Sequence, residues 1–249
     1  MERKTFLTSG LAALGFAAIA PLANSCKKES TGTTTTSTTT TTTTTTGGTT
    51  SSSCTTGATE TAGPYPTITP SSYVRSNIVD GQSGVPLTIK LSFTNTNSSC
   101  AALTGALVDI WHCTALGYYS EYTDTPGGGY ATVDYTSSHF LRGRQTTDST
   151  GLVTFTSIFP GWYSPRAPHI HVHVYNSSGT SLLITQIAFP TDVCNTVYTT
   201  ATDYKARGVQ DTANTADMVF SDSLATELST VTGSVSAGYV LTISIGVAA

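Results

Sequence analysis

The chain has 249 residues, of which 38% are hydrophobic and only 10% are charged, and 11 Lys and Arg residues stand against 15 Asp and Glu residues. This length suits one domain of ordinary size or two small ones, and a formal net charge of -4 with no block of basic residues argues against nucleic acid as the main partner. The longest apolar stretch, residues 10–23, is shorter than the roughly 20 residues of a membrane-spanning helix, which excludes a polytopic membrane protein.

The N-terminus has the order of a secretory signal, with basic residues first, then the apolar run, then small residues before Cys26. A cysteine in this position resembles the lipid attachment site of bacterial lipoproteins, so we predict a signal peptide over residues 1–26 that ends at a lipidated Cys26. Plain secretion with an incidental cysteine is the alternative. Residues 3–7 also resemble a twin-arginine export signal in which lysine replaces the second arginine. The protein is therefore expected outside the cytoplasm, anchored by lipid to a bacterial membrane or cell surface.

Residues 30–57 are almost entirely Thr, Ser and Gly and include no apolar residue that could enter a core. We therefore predict a disordered tether over residues 27–59, which as a flexible coil would span on the order of 30 Å. The folded domain is expected over residues 60–249.

If Cys26 is lipidated, four cysteines remain, and an even number in an exported chain favours two disulfides. The sequence does not choose among the three ways of pairing them. Metal ligation is less favoured, because no two are spaced as a Cys-x-x-Cys pair. These cysteines are Cys54, Cys100, Cys113 and Cys194.

Short segments with period-2 alternation of apolar and polar residues make up most of the predicted domain, and helical periodicity is nearly absent. Alternation over residues 87–93, 106–111 and 241–247 predicts strands, and another begins after the turn signal at residues 148–151. Such strands, separated by Gly, Pro, Asn and Asp clusters, indicate an all-β domain, either an antiparallel sandwich or a barrel. Residues 201–233 are expected to form loops and a short helix.

A strand with three alternating histidines, residues 169–174, carries the strongest chemical signal. On a strand the histidines project to one face, and the Ile and Val residues between them project to the core. Two imidazoles two residues apart, such as His169 and His171, can converge on one metal. Taken alone, the pattern is also compatible with exposed histidines, a zinc hydrolase or a cupin-like site.

Five spaced motifs occur in the order typical of one family. They are Gly-Pro-Tyr within residues 60–65, Trp-His-Cys within 110–120, Arg-Gly-Arg within 142–148, Pro-Gly-Trp-Tyr at 160–163 ahead of the histidine strand, and residues 183–186. Together they resemble the intradiol ring-cleavage dioxygenases, which include catechol 1,2-dioxygenases and protocatechuate 3,4-dioxygenases. The resemblance runs from residue 60 to at least residue 189. It implies an antiparallel β-sandwich of the intradiol dioxygenase type.

The resemblance also implies a non-haem Fe(III) bound by two tyrosinates and two histidines. The matching positions are Tyr119, Tyr163, His169 and His171. Fe(III) is a hard ion that suits phenolate oxygens and accepts imidazole. By the same resemblance Tyr163 is the ligand that dissociates and acts as a base, Arg166 faces the substrate, and Gln186 is a polar pocket residue.

The resemblance implies secondary roles for several neighbouring residues. Tyr118 is the other candidate beside Tyr119, but it occupies a variable position of the family. Tyr65 is expected to line the pocket, whereas His112 and His173 are expected to be structural or exposed.

The chain looks more like the exported, single-domain members than like the cytoplasmic members, which dimerise through a helical N-terminal segment. A Thr-rich tether stands in that place here, so a monomer is expected. The cysteine pair around Cys100 and Cys113 fits the exported subgroup.

The implied function is Fe(III)-dependent cleavage of a catechol-type aromatic diol by O2 to a muconate-type dicarboxylate. Catechol, hydroxyquinol and protocatechuate remain open as substrates, because the predicted pocket loop at residues 124–135 is Gly-rich and generic. One alternative is a non-catalytic cell-surface β-sandwich that binds sugar or protein and keeps a vestigial metal site. Another is a zinc hydrolase using His169, His171 and His173, which leaves the tyrosines and Arg166 unexplained.

Overall fold

The computed structural model describes residues 54–249. Within them the strands are β1 (Pro86–Asn95), β2 (Ala101–Ala102), β3 (Leu107–Trp111), β4 (Thr123–Asp124), β5 (Val133–Asp134), β6 (Arg142–Thr146), β7 (Leu152–Ile158), β8 (His169–Tyr175), β9 (Ser181–Ala188), β10 (Thr230–Ser234) and β11 (Gly238–Val247). The helices are α1 (Thr191–Thr200), α2 (Thr202–Lys205) and α3 (Leu224–Glu227), with 3₁₀ turns at Pro70–Ser72, Thr96–Ser98 and Asn214–Ala216. The predicted signal peptide, Cys26 and residues 27–53 of the predicted tether lie outside the described residues.

Two large sheets form the body of the fold, and β4 and β5 pair separately as a two-stranded sheet. The first has the order β10-β11-β1-β2, with β7 also paired to β1, and the second has the order β6-β3-β8-β9. Side chains from both sheets share one apolar cluster, for example Ile89 and Leu241 from the first and Val108 and Val172 from the second. The predicted all-β sandwich is therefore confirmed.

One strand pair departs from a purely antiparallel arrangement. Strand β1 runs parallel to β11, with Leu87 opposite Tyr239 and Asn95 opposite Val247. Period-2 alternation decides which face a side chain occupies, but it is the same for both chain directions. The sequence pattern could not reveal this pairing.

The core forms where the alternation predicts it. In β1 the side chains of Leu87, Ile89, Leu91 and Phe93 are buried, whereas the Lys90 side chain between them is exposed. In β8, Ile170 is fully buried beneath the histidine face. Burial of one such side chain contributes about 1.5–3 kcal/mol.

Helix α1 is the element that the alternation did not indicate. Its sequence is rich in Thr, but Cys194, Val197 and Tyr198 are spaced so that they reach the core on one helical face. The following region contains loops with the short helices α2 and α3, as predicted for residues 201–233, but strand β10 begins inside it at Thr230, which the prediction did not include. No helix among the described residues is long and apolar enough to cross a membrane.

The cysteines correct two expectations. Cys54 and Cys100 form a disulfide, whereas Cys113 and Cys194 are free and buried. The expected second disulfide and the pairing of Cys100 with Cys113 are both wrong, because Cys113 packs beside Trp111 and Cys194 lies in the main core.

The described structure begins inside the predicted tether. Thr56 forms a parallel bridge to Gly246 of β11, and the backbone N–H of Gly57 donates to the Gly246 carbonyl over 2.9 Å. The folded domain therefore starts no later than Cys54, rather than at residue 60. The disulfide attaches this segment to the turn that follows β1.

Candidate metal centre

Four side chains meet at one end of the second sheet. Strand β8 presents His169 and His171 on the same face, with their Nε2 atoms 3.1 Å apart. The loop that leads into β8 brings the Tyr163 hydroxyl to 3.4 Å from His169 Nε2, and the loop after β3 brings the Tyr119 hydroxyl to the same distance. The structure thus gathers two imidazole nitrogens and two phenol oxygens at one point.

The surroundings of the two histidines hold both rings in place, and those of His169 also favour binding through Nε2. His169 Nδ1 donates its hydrogen to the Ala167 carbonyl over 2.6 Å, which leaves the lone pair on Nε2. The His171 ring lies flat against Trp111, with centroids 4.9 Å apart and an interplanar angle of 3°. Burial lowers the pKa of His169 to about 3 and that of His171 well below its usual value, so both rings are neutral at neutral pH.

The glycine at position 63 leaves room for this ring. Gly63 has a φ of +70°, which favours glycine, and a Cβ there would lie 2.9 Å from His171 Cε1. The ring is therefore held between the Trp111 indole and the Gly63 backbone. Gly63 was noted in the sequence only as part of a motif, and its role follows from this close approach.

The two phenols require a strong positive charge to ionise. Burial raises the pKa of Tyr119 well above its usual value and that of Tyr163 to about 12, although Arg166 acts in the opposite direction on Tyr163. A bound trivalent ion strongly favours the phenolate form. Two phenol oxygens and two neutral imidazoles are a donor set that fits Fe(III).

A three-histidine zinc site is not formed. His173 instead hydrogen bonds through its ring nitrogens to Ser181 Oγ and to the Tyr175 hydroxyl, each over 2.8 Å. Among residues 54–249, no group of three or more His, Cys, Asp or Glu side chains is arranged to hold a metal ion. The geometry therefore contradicts the zinc hydrolase alternative.

Tyr65 forms an aromatic wall beside the four donors. Its ring stacks on Tyr119 with centroids 4.7 Å apart, and its hydroxyl donates to Asp124 Oδ1 over 2.6 Å. Asp124 Oδ2 also accepts from the Tyr119 backbone N–H over 2.8 Å. This buried carboxylate, which sequence reasoning placed in a generic loop, thus orients both tyrosines.

Tyr118 and His112 have partners elsewhere. The Tyr118 hydroxyl donates to the Ala131 carbonyl over 2.9 Å. His112 is buried, with one ring nitrogen bonded to the Cys113 carbonyl and the other to Ser157 Oγ. Since both its ring nitrogens are occupied, His112 has a structural role.

Arg166 belongs to a buried polar network beside Tyr163. Its Nε donates to both carboxylate oxygens of Asp217, over 2.8 and 3.1 Å, and its NH2 group donates to Gln186 Oε1 over 2.7 Å. The Gln186 amide in turn donates to the Thr61 carbonyl. Asp217 was missed because it lies in the part of the sequence without a readable pattern.

Comparisons with known proteins point to one family. A protein-family profile described as "Dioxygenase" matches residues 65–223. An intradiol ring-cleavage dioxygenase from Tetranychus urticae is 27% identical, with a TM-score of 0.69, over 78% of this chain and 95% of that chain. The dioxygenase domain of a dioxygenase carbohydrate-binding protein fusion from Streptomyces sp. SirexAA-E is 25% identical, with a TM-score of 0.53, over 77% of this chain and 97% of that chain.

More distant comparisons add information on the fold alone. Hydroxyquinol 1,2-dioxygenase from Pseudomonas putida DLL-E4 is 15% identical, with a TM-score of 0.52, over 77% of this chain and 66% of that chain. No sequence among curated proteins matches the chain significantly. The similarity therefore rests on the family profile and on solved structures.

Proposed function

The chain belongs to the intradiol ring-cleavage dioxygenase family, and on that premise we propose that it uses Fe(III) and O2 to cleave a catechol-type diol. The bond broken is the one between the two hydroxyl-bearing carbons, and the product is a muconate-type dicarboxylate. The observation that supports this most is the convergence of the donor atoms of Tyr119, Tyr163, His169 and His171.

These four residues would hold the iron. When bound, Fe(III) would act as a Lewis acid that polarises the diol and withdraws electron density from its ring. Tyr119 is fully buried, and Asp124 accepts a hydrogen bond from its backbone, so this ligand is held firmly. Tyr163 lies on a loop and is only partly buried, which suits the ligand that is exchanged.

Tyr163 can also act as a proton acceptor. In the metal-free protein its pKa is about 12, so the phenol oxygen takes up a proton whenever it is not a ligand. A catechol must lose two protons to bind through both oxygens as a dianion, and the released Tyr163 phenolate can accept one of them. The second proton would pass to a hydroxide ion in the site, which would leave as water. With both protons accepted in this way, the exchange would add no net charge to the buried site, where such a charge would be costly.

Arg166 and Tyr65 complete the pocket. Arg166 is buried, and its guanidinium places a positive charge next to Tyr163, where it would stabilise negative charge developing on the ring. The Tyr65 ring covers Tyr119 and presents an aromatic surface that suits a planar substrate.

Export and anchoring through Cys26 are part of the proposal. The Cys54–Cys100 disulfide supports an oxidising compartment, since such bonds are rare in the cytosol. Replacing Cys26 by Ser should abolish labelling by a fatty acid and release the protein from the membrane fraction. A wild-type protein that takes up no label and stays soluble would contradict the anchor. We propose a monomer, which sedimentation of the purified protein tests.

The visible spectrum of the iron-loaded full chain tests the activity. A tyrosinate-to-Fe(III) band that shifts on anaerobic addition of catechol, followed by oxygen uptake and ring-opened product, is expected. Tyr119→Phe should lose the oxygen uptake and weaken the band, whereas Tyr118→Phe, the matched neighbouring change, should keep both. A colourless wild type that consumes no oxygen after iron loading would refute the proposal, and glycan binding by such a protein would favour the binding-module alternative.

A further inference from the structure

Asp217 is a fully buried carboxylate that accepts several hydrogen bonds from the segment leading to the histidine strand. It lies directly after the 3₁₀ turn Asn214–Ala216 and is 0% exposed. Its two oxygens accept from Arg166 Nε, and Oδ2 also accepts from the Ala167 backbone N–H over 2.7 Å. Oδ1 accepts from the Val219 backbone N–H over 2.8 Å.

We propose that Asp217 is a positioning residue that fixes the Arg166 guanidinium toward the reacting diol, an inference that rests on the proposed function. Both Asp217 oxygens are occupied by these hydrogen bonds, so the carboxylate is not free to bind the diol itself. It would therefore act on the reaction through Arg166.

The guanidinium is held from three directions. Asp217 binds its Nε, Gln186 accepts from its NH2 group, and the Phe220 ring lies 5.7 Å from its central carbon. These contacts restrict both the tilt and the rotation of the planar group. They use only part of its N–H donors, so donors remain for a bound anion.

Charge gives a second reason for the pairing. Arg166 is a buried cation beside a site that would hold a trivalent metal ion, and an uncompensated cation there would be unfavourable. The Asp217 carboxylate, 2.8 Å from Arg166 Nε, supplies the opposite charge. Without it, Arg166 is expected to move away from the site rather than to remain in place.

The same carboxylate also steadies the backbone of the ligand loop. Its bond to the Ala167 N–H anchors the residue whose carbonyl accepts from His169 Nδ1. A test must therefore separate an effect through Arg166 from an effect through the loop. A double-mutant cycle with Arg166 does so.

The test compares Asp217→Asn, Arg166→Gln and the double variant in the iron-loaded full chain. Asn keeps the shape of Asp but removes the charge and places an amide N–H group against an N–H donor. In Asp217→Asn we expect kcat to fall about 10–100-fold, as is typical when a residue orienting an active-site group is lost. The catechol Kd from the anaerobic spectral shift should change less than kcat, and the double variant should be no worse than Arg166→Gln alone.

A matched control exists at Asp109. This carboxylate is 2% exposed and also accepts two bonds from one arginine, Arg144, but outside the site. Asp109→Asn should lower thermal stability as Asp217→Asn does, while leaving kcat unchanged. Loss of kcat in Asp217→Asn is then separated from loss of stability.

A readout independent of activity comes from the Arg166 Nε–H signal in ¹⁵N NMR spectra of the full chain before iron loading. It should exchange slowly with water in the wild type and rapidly in Asp217→Asn. Unchanged exchange with unchanged kcat would overturn the proposal, and so would a fall in kcat that is equally large in the Arg166→Gln background. A wild type that consumes no oxygen would instead overturn the proposed function, and with it the role of Asp217 in the reaction.

Discussion

Glu227 provides a prediction about stability that follows from the tertiary structure. It ends helix α3 and is 1% exposed, and its oxygens accept from Ser223 Oγ over 2.5 Å and from Thr185 Oγ1 over 3.3 Å. Burial, together with the nearby Glu60, raises the pKa of the Glu227 carboxyl from 4.5 to about 7. The folded protein therefore keeps this proton over a pH range in which the unfolded chain has lost it.

The sign and size of the effect follow from linkage. Because the folded state binds the proton more tightly, the contribution of Glu227 to stability is complete below pH 4.5 and declines as the pH rises to about 7. At about 1.4 kcal/mol for each pH unit between these two values, the ionised carboxyl costs about 3 kcal/mol above pH 7. Glu227→Gln keeps the size of the side chain and removes this cost, so the variant should be more stable than the wild type by up to that amount at pH 8.

The assay is chemical denaturation of the full chain at several values between about pH 5 and pH 8. The difference in unfolding free energy between Glu227→Gln and the wild type should be small at the acidic end and grow toward the alkaline end. Asp203→Asn, which changes an exposed carboxylate on α2, is the control and should give a nearly constant difference. Parallel curves for Glu227→Gln and the wild type would refute the reasoning.

Three further predictions concern other parts of the fold. Gly63→Ala should push the His171 imidazole out of place and weaken iron binding about 10–100-fold. Metal analysis after dialysis measures this loss, and an unchanged iron content would contradict the close approach of Gly63 to His171. Cys54→Ser opens a disulfide with a sequence separation of 46 residues and should lower the free energy of unfolding by about 4 kcal/mol in the chain-entropy treatment. Adding a reductant should cause the same loss in the wild type and no further loss in the variant. Arg142→Met removes the buried cation 3.5 Å from Glu121 and should destabilise the protein by about 3–5 kcal/mol in urea denaturation, and a variant as stable as the wild type would show that the pair contributes nothing.

Local patterns were sufficient for the strands that build the core. Alternation in residues 87–93 predicted which side chains of β1 are buried, because successive side chains on a strand point to opposite faces. Helix α1 was not predicted, because its three buried residues, although they have helical spacing, lie among Thr residues, which favour strands over helices. The pairing of Cys54 with Cys100 likewise depends on which loops meet in space, and that is a tertiary property.

In the candidate site, too, some residues could be predicted from the sequence and others only from the tertiary structure. The motifs containing Tyr119, Tyr163, His169 and His171 were visible in the sequence, because each motif is short and continuous. Their supporting groups were not visible. Asp124 ends the two-residue strand β4 just before a Gly-rich segment without a readable pattern, and Asp217 lies 51 residues after the arginine that it binds.

The sequence by itself therefore determined the all-β class, the core faces of the main strands and the residues expected to bind iron. Only the tertiary structure decided the parallel pairing of β1 with β11, the close approach of Gly63 to His171 and the orientation of Arg166 by Asp217. The physical reason is the separation along the sequence between the residues that interact. Alternation and short motifs are recorded in neighbouring residues, whereas strand order, buried charge pairs and contacts with glycine depend on segments that folding brings together from distant parts of the chain.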